Sequence, residues 1–180
     1  FVNDGKEIVK DTPTIKANIR PSDTKILENL KEAIKKTGLK DGDTISFHHH
    51  FRNGDYVAAM VMDAIHKLGI KDLFVCASSL GKAHRNFVPM IEDGTITGIS
   101  SSGVRDKIGE AISEGKLKNP AYIRSHGGRV GAIESGKVNI DVAFIGASSS
   151  DEYGNASGVN GKANCGVLSY AGVDAKYADN

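Results

Sequence analysis

Apolar residues in this chain alternate between two spacings, and the alternation predicts its architecture. Ser22 or Asp23 can cap a helix running to about residue 37, with Ile26, Leu27, Leu30 and Ile34 on one face and Gly38 as its stop. A short β-prone run follows over 44–48. Residues 56–68 then carry apolar side chains at 57, 60, 61, 64, 65 and 68, the spacing of a helix, ended by Gly69. The almost continuously apolar run 72–77 reads as a strand buried on both faces of a parallel sheet. The pattern continues with a helix over 82–92, a strand over 96–100, a helix over 105–113 and a strand over 121–124. A short helix over 130–135, a buried strand over 141–145 and a last helix over 166–177 complete it. Five strand–helix alternations predict an α/β domain, an open and mostly parallel sheet with helices on both faces and right-handed crossovers. Residues 1–21, with scattered charge and Pro13 and Pro21, read as an extended arm, and 22–180 as the domain. No internal repeat, low-complexity segment or linker interrupts it.

The chemistry collects after the strands. The first strand ends in His48-His49-His50-Phe51-Arg52-Asn53-Gly54-Asp55, and later strands in Ser78-Ser79-Leu80-Gly81, Ser101-Ser102-Gly103 and Ser125-His126-Gly127-Gly128-Arg129. The fifth is followed by Gly146-Ala147-Ser148-Ser149-Ser150-Asp151-Glu152-Tyr153-Gly154-Asn155. In a parallel sheet these loops share the edge where open α/β proteins bind ligands. Glycines let backbone approach a ligand, and helix N-termini offer N–H groups to anions. Arg52, Arg129 and the histidines add charge-assisted donors suited to carboxylates. The junction therefore points to a site for an anionic or carbonyl-bearing ligand.

Each feature also has a plainer reading. Adjacent side chains in an extended segment alternate faces, so the three histidines cannot converge as three metal ligands, and no metal is expected. They divide between structural hydrogen bonding and direct ligand contact. Asn53-Gly54 is a turn or helix cap as well as a contact candidate. His126-Gly127-Gly128-Arg129 lacks the spacing of nucleotide fingerprints and fits a tight strand–helix turn. The serine pairs 78/79 and 101/102 suit helix caps, and no serine sits in a G-x-S-x-G elbow, which argues against a hydrolase triad. Asp151 and Glu152 are candidate acids, or simply solvated loop carboxylates.

Composition narrows the classes. At 180 residues the chain suits one domain, large enough to bury roughly 70% of its unfolded surface. A net charge of +1 argues against a nucleic-acid partner. No apolar run approaches the ~20 residues of a membrane helix, and no signal peptide is visible. Cys76 and Cys165 lie far apart without metal-ligand spacing and read as two reduced thiols of a cytoplasmic protein. The chain opens on Phe1 and stops at Asp179-Asn180 without a clear terminator, which reads as a piece of a longer polypeptide.

The run Ser46-Phe47-His48-His49-His50-Phe51-Arg52-Asn53-Gly54-Asp55 closely resembles the α subunits of citrate lyase, the citrate CoA-transferase component. Ile123-Arg124-Ser125-His126-Gly127-Gly128-Arg129, Ala132-Ile133-Glu134-Ser135-Gly136, Asp141-Val142-Ala143-Phe144, Asp151-Glu152-Tyr153-Gly154-Asn155 and Val173-Asp174-Ala175-Lys176-Tyr177-Ala178-Asp179 are similar to the same family. The likeness covers the chain from about residue 20 onward, and its first two motifs are the specific ones. It implies the open CoA-transferase fold, related to those of ribose-5-phosphate isomerase and glucosamine-6-phosphate deaminase. It implies replacement of acetyl by citrate on an acyl-carrier thioester, giving citryl-thioester and acetate. The partners implied are a β (lyase) and a γ (acyl carrier) subunit in an oligomer, with no nucleic acid or membrane. The thiol belongs to CoA or to a dephospho-CoA-type group on the carrier, so no cofactor is held permanently.

Within that resemblance, Phe51, Asn53 and Gly54 are expected at the oxyanion and carbonyl, and His49, His50, Arg52 and Arg129 on citrate carboxylates. Gly127, Gly128, Ser148, Ser149 and Ser150 are expected along the CoA-like arm. Related enzymes carry a Gly-Gly-Phe-Gly-like loop where this chain has His49-His50-Phe51-Arg52-Asn53-Gly54, a bulkier, more basic stretch suited to a tricarboxylate. CoA-transferases consist of two similar halves, with the active-site glutamate in the second. This chain corresponds to the first, so it is expected to fold without being an active enzyme alone. Transfer to citramalate, a sugar-phosphate isomerase or deaminase, and a non-catalytic metabolite-sensing domain are the alternatives on the same fold. The histidine-rich motif argues against the last two.

Overall fold

A computed structural model describes residues 24–48 and 56–180, and there the predicted alternation becomes a five-stranded parallel sheet. The elements are α1 (Leu30–Thr37), β1 (Thr44–His48), α2 (Val57–Lys67), β2 (Leu73–Ala77), α3 (Phe87–Glu92), β3 (Ile96–Ser101) and α4 (Asp106–Ser113). They continue with β4 (Tyr122–Ile123), α5 (His126–Glu134), β5 (Val142–Ile145), a hairpin of β6 (Ser149–Ser150) and β7 (Ala156–Ser157), and α6 (Ala171–Tyr177). Strand order is β4-β3-β2-β1-β5, so the chain winds outward from β1 through β4 and then crosses to the other side of β1.

Side-chain alternation divides the sheet into two faces. Ile45, Phe47, Val75, Ala77, Ile99 and Val142 point to one face and form the main core with Ile34, Met62, Ile65, Phe87, Met90 and Ile108 of α1 to α4. On the other face Ala143 packs with Ile133 of α5 and Tyr177 of α6 in a smaller cluster. The helices thus change face where the winding direction reverses, as crossovers of constant hand require. Across the second face runs a row of small polar residues in register, Ser46 beside Cys76 and Cys76 beside Ser100. Close approach is enforced at Gly98, where a Cβ would lie 2.4 Å from the Phe74 ring.

At the outer edge of β5 the chain returns after α6. Asp179 and Asn180 donate their amides to the carbonyls of Ile140 and Asp141, and Ala143 donates to the Asn180 carbonyl. Asp141 ties the start of β1 to this edge, accepting the Thr44 amide at 2.7 Å.

Several boundaries differ from the sequence expectation for identifiable reasons. The first helix begins at Leu30 because Asn29 caps it, accepting the Glu32 amide at 2.9 Å, and Ile26 is left 68% exposed. Instead of one helix over 82–92 there is a 3₁₀ turn, Lys82–His84, and then α3. Pro89 has no N–H for a bond back to Arg85, so a continuous helix would break there. α5 starts at His126 rather than 130, because Ser125 caps it through the Gly128 amide. The last helix starts at Ala171 rather than 166, after Gly166 and Ser169 take left-handed backbone. The β6–β7 hairpin had no expectation.

Candidate active site

The reversal of winding between β1 and β5 is the switch point at which open α/β sheets leave a crevice beyond the carboxyl ends of their strands. A cleft of ≈ 710 Å³ opens at that edge, lined from β1, β2, β3, α5 and the start of α6. Its size is that of a small-molecule site.

His48, the last residue of β1, is 5% exposed and meets the Tyr170 ring edge-on at 5.9 Å. Tyr170 immediately precedes α6 and also packs on the His126 ring at 5.3 Å. One phenol ring therefore stands between an imidazole ending β1 and another opening α5, and all three line the cleft. The loops after β2 and β3 form the opposite wall. Leu80 donates to Gly103 and accepts from Arg105, and Ser102 donates to Ser78 O through both its amide and its hydroxyl. This pairing joins the two loops that carry Lys82 and Arg105, and both residues line the cleft. Buried His84 accepts the Gly81 amide at Nδ1, which places the proton of a neutral ring on Nε2.

Arg85 forks onto Asp106, Nε to Oδ2 at 2.5 Å and Nη2 to Oδ1 at 2.8 Å. Those hydrogen bonds, with the Lys107 amide, hold the Asp106 carboxyl well below its ordinary 3.8. Asp106 also adopts φ 59°, a left-handed conformation that aspartate tolerates better than most residues. A carboxyl depressed on folding adds stability above the ordinary aspartate range and loses it only as pH falls through its own lowered pKa. A carbon-13 carboxyl titration should therefore find Asp106 still ionised at pH 3.8, and Arg85→Met should return it toward that value. Half-protonation at pH 3.8 in the unaltered protein would refute the fork.

The expected site residues separate into three groups. His49, His50, Phe51, Arg52, Asn53 and Gly54 lie outside the described residues. Gly127 and Gly128 are exposed in the first turn of α5, directly after His126 of the cleft. Arg129 does not line the cleft: it is 2% exposed, and its Nη2 donates to Asp174 at 2.7 and 2.9 Å and to Ser46 Oγ at 2.7 Å. The expectation that it grips a citrate carboxylate gives way to a structural role, because Asp174, itself 0% exposed, already holds its charge. Burial pushes the Asp174 carboxyl up, and the Arg129 guanidinium opposes that.

Ser148, Ser149 and Ser150 likewise turn inward on their own loop. The Ser148 hydroxyl donates to Gly158 and Ala163, that of Ser149 to Val159, and that of Ser150 to Asp151. Asp151 closes the following turn by accepting from Tyr153 and Asn155. Burial pushes the Cys76 thiol up, which leaves it a protonated core group rather than a nucleophile. Among the described residues no group of three His, Cys, Asp or Glu side chains could hold a metal, and no helix is long and apolar enough to cross a membrane.

Lys82, Arg105 and Tyr170 were not anticipated as site residues. Each falls inside a stretch that the periodicity assigns to helix, whereas the structure has them in a 3₁₀ turn or at a helix cap.

A parallel sheet with a cationic, imidazole-lined cleft beyond the carboxyl ends of its strands defines an open α/β protein. Comparison with known proteins gives the family: residues 23–180 match the model of citrate lyase, alpha subunit (CitF), and the chain belongs to that family. It is 52% identical to the citrate lyase alpha chain of Haemophilus influenzae over 157 residues, covering 87% of this chain and 31% of that protein. Identity to the Escherichia coli alpha chain is 53% over 156 residues, with the same coverage. A solved structure of the alpha subunit of citrate lyase from Streptococcus mutans, in complex with citrate, superposes with a TM-score of 0.90 at 55% identity. That match takes in 96% of this chain and 34% of the other, so the chain spans about a third of the relatives it matches.

Proposed function

We propose that this chain is the first of two similar halves of a citrate CoA-transferase, which exchanges acetyl for citrate on an acyl-carrier thioester. The observation that carries the reading is the cleft beyond the carboxyl ends of β1 to β3, walled by α5 and the start of α6, in a family whose Streptococcus mutans relative is in complex with citrate. In the exchange the thioester sulfur loses acetyl and gains citryl, and acetate leaves with the carboxylate oxygen that citrate gives up. No water enters the balance. The cleft must therefore hold the acid's carboxylates and keep its reacting end against the thioester carbonyl.

In this reading residues 49–54, which follow β1 in sequence, supply contacts to citrate and to the developing oxyanion. His126 and the exposed Gly127-Gly128 turn flank the path of the CoA-like arm. Arg129 contributes by fixing α5 against β1. The active-site glutamate lies in the second half. Lyase (β) and acyl-carrier (γ) subunits are the partners, assembled as an oligomer in the cytoplasm.

The test is acetate release from acetyl-CoA and citrate, by the 180-residue chain and by the native longer polypeptide containing it. Release by the longer protein alone is the expected result. If neither releases acetate while both are folded, the transferase reading fails and a metabolite-sensing role takes its place.

A further inference from the structure

Several cations of the domain are already neutralised. Arg85 is paired with Asp106, Lys107 with Glu110, Lys116 with Glu92 and Glu114, and Arg129 with Asp174. Lys82 and Arg105 differ: both line the cleft, and neither is within ion-pair distance of an acid among the described residues. Asp106, the carboxylate on the same wall, is engaged by Arg85. Among the described residues this wall therefore carries uncompensated positive charge, on the cleft that His48 and His126 also line.

The backbone brings the loops that carry these two cations together. Leu80 and Val104 form a parallel β-bridge beyond β2 and β3, with Leu80 N–H donating to Gly103 O at 2.9 Å and Arg105 N–H to Leu80 O at 3.0 Å. Lys82 lies two residues from one arm of the bridge and Arg105 one residue from the other. The Arg105 guanidinium lies over this bridge, 3.3 Å from where a Cβ on Gly103 would stand.

We propose that Lys82 and Arg105 are specificity-determining residues that seat carboxylates of the acid substrate, a role that rests on the transferase reading above. Two chemical facts favour the acid over the CoA-like arm. A tricarboxylate carries its charge close to its reacting carbon, whereas the thioester end of the arm is uncharged and its phosphates lie far from the sulfur. A polycarboxylate also needs several cations in one cleft, and Arg129 is buried away from this one. A planar guanidinium beside a lysine supplies a fork for one carboxylate and a point charge for another.

The test is calorimetric titration of citrate into the native longer α chain and its Arg105→Gln and Lys82→Gln variants, with acetyl-CoA titrated separately. Each substitution should weaken citrate binding by about tenfold, the scale of a lost charge-assisted contact, and leave acetyl-CoA binding unchanged. Lys107→Gln, on the exposed face of α4 and paired with Glu110, should bind citrate as the unaltered protein does. Thermal midpoints of all variants should match, since the altered side chains are exposed. Citrate affinity unchanged in both cleft variants, or a loss confined to acetyl-CoA, would overturn the proposal, as would absence of citrate binding in the unaltered protein. Citrate binding that depends on Arg105 and Lys82 without acetate release would uphold this subsite and reject the transferase reading, so the two fail separately.

Discussion

Arg129→Ala is expected to destabilise the fold by about 3–5 kcal/mol, the range for stranding one partner of a buried ion pair. The alanine would leave the Asp174 carboxylate at 0% exposure without its cation, and Ser46 without its donor. Urea denaturation of the native protein and the variant reads the difference, and a loss below about 1 kcal/mol would show that the pair is not what holds α5 to the sheet. The paired replacement Arg129→Met with Asp174→Leu should recover most of the loss, since well-packed apolar substitutes for a buried pair are often neutral or better. Arg129 Nε and Nη1 are buried without hydrogen-bond partners among the described residues, so removing the whole pair also removes an uncompensated desolvation. The pair still has a positional consequence. It ties α5 and α6 to Ser46 on β1, and His126 and Tyr170 stand at the cleft ends of those two helices.

Phe47→Ala is the second substitution with a large expected effect, about 3–5 kcal/mol, as for other fully buried phenylalanines. Phe47 is 1% exposed on β1, in the main core, and its ring stacks on Phe144 of β5 at 5.6 Å. A cavity there would loosen β1 against β5 one residue before His48 enters the cleft. Citrate affinity should fall along with stability, whereas an equally buried change remote from the cleft, such as Met62→Ala, should lower stability alone. Equal citrate affinities in the two variants would separate the β1/β5 junction from the site.

The sheet was legible because its strands are short apolar runs and its helices carry 3.6-residue spacing with glycine stops. β1 occupies the residues that its run predicts, and Gly38 and Gly69 end their helices in left-handed backbone. Boundaries slipped where a single side chain decides them. Asn29 and Ser125 relocate two helix starts, and both are capping contacts that periodicity does not register. The loops that line the cleft were legible as loops, since they follow the strands in a parallel sheet. Which side chains enter it was not, because the relevant information is the partner of each charge. Arg129 and Arg105 look alike in sequence, yet one is held by an aspartate 45 residues downstream and the other is not paired among the described residues.

The cleft takes its walls from residues spread along almost the whole described chain, from His48 to Tyr170, and is complete only once α5 and α6 have docked beside β1. Such non-local closure is slow, because the entropy of bringing distant segments together precedes the contacts that reward it. Binding capacity should then arrive in the last kinetic phase of refolding, together with the burial of Tyr177. A ligand that recognises only the finished cleft would also act as a thermodynamic clamp, stabilising the native state as a whole in proportion to the logarithm of its concentration.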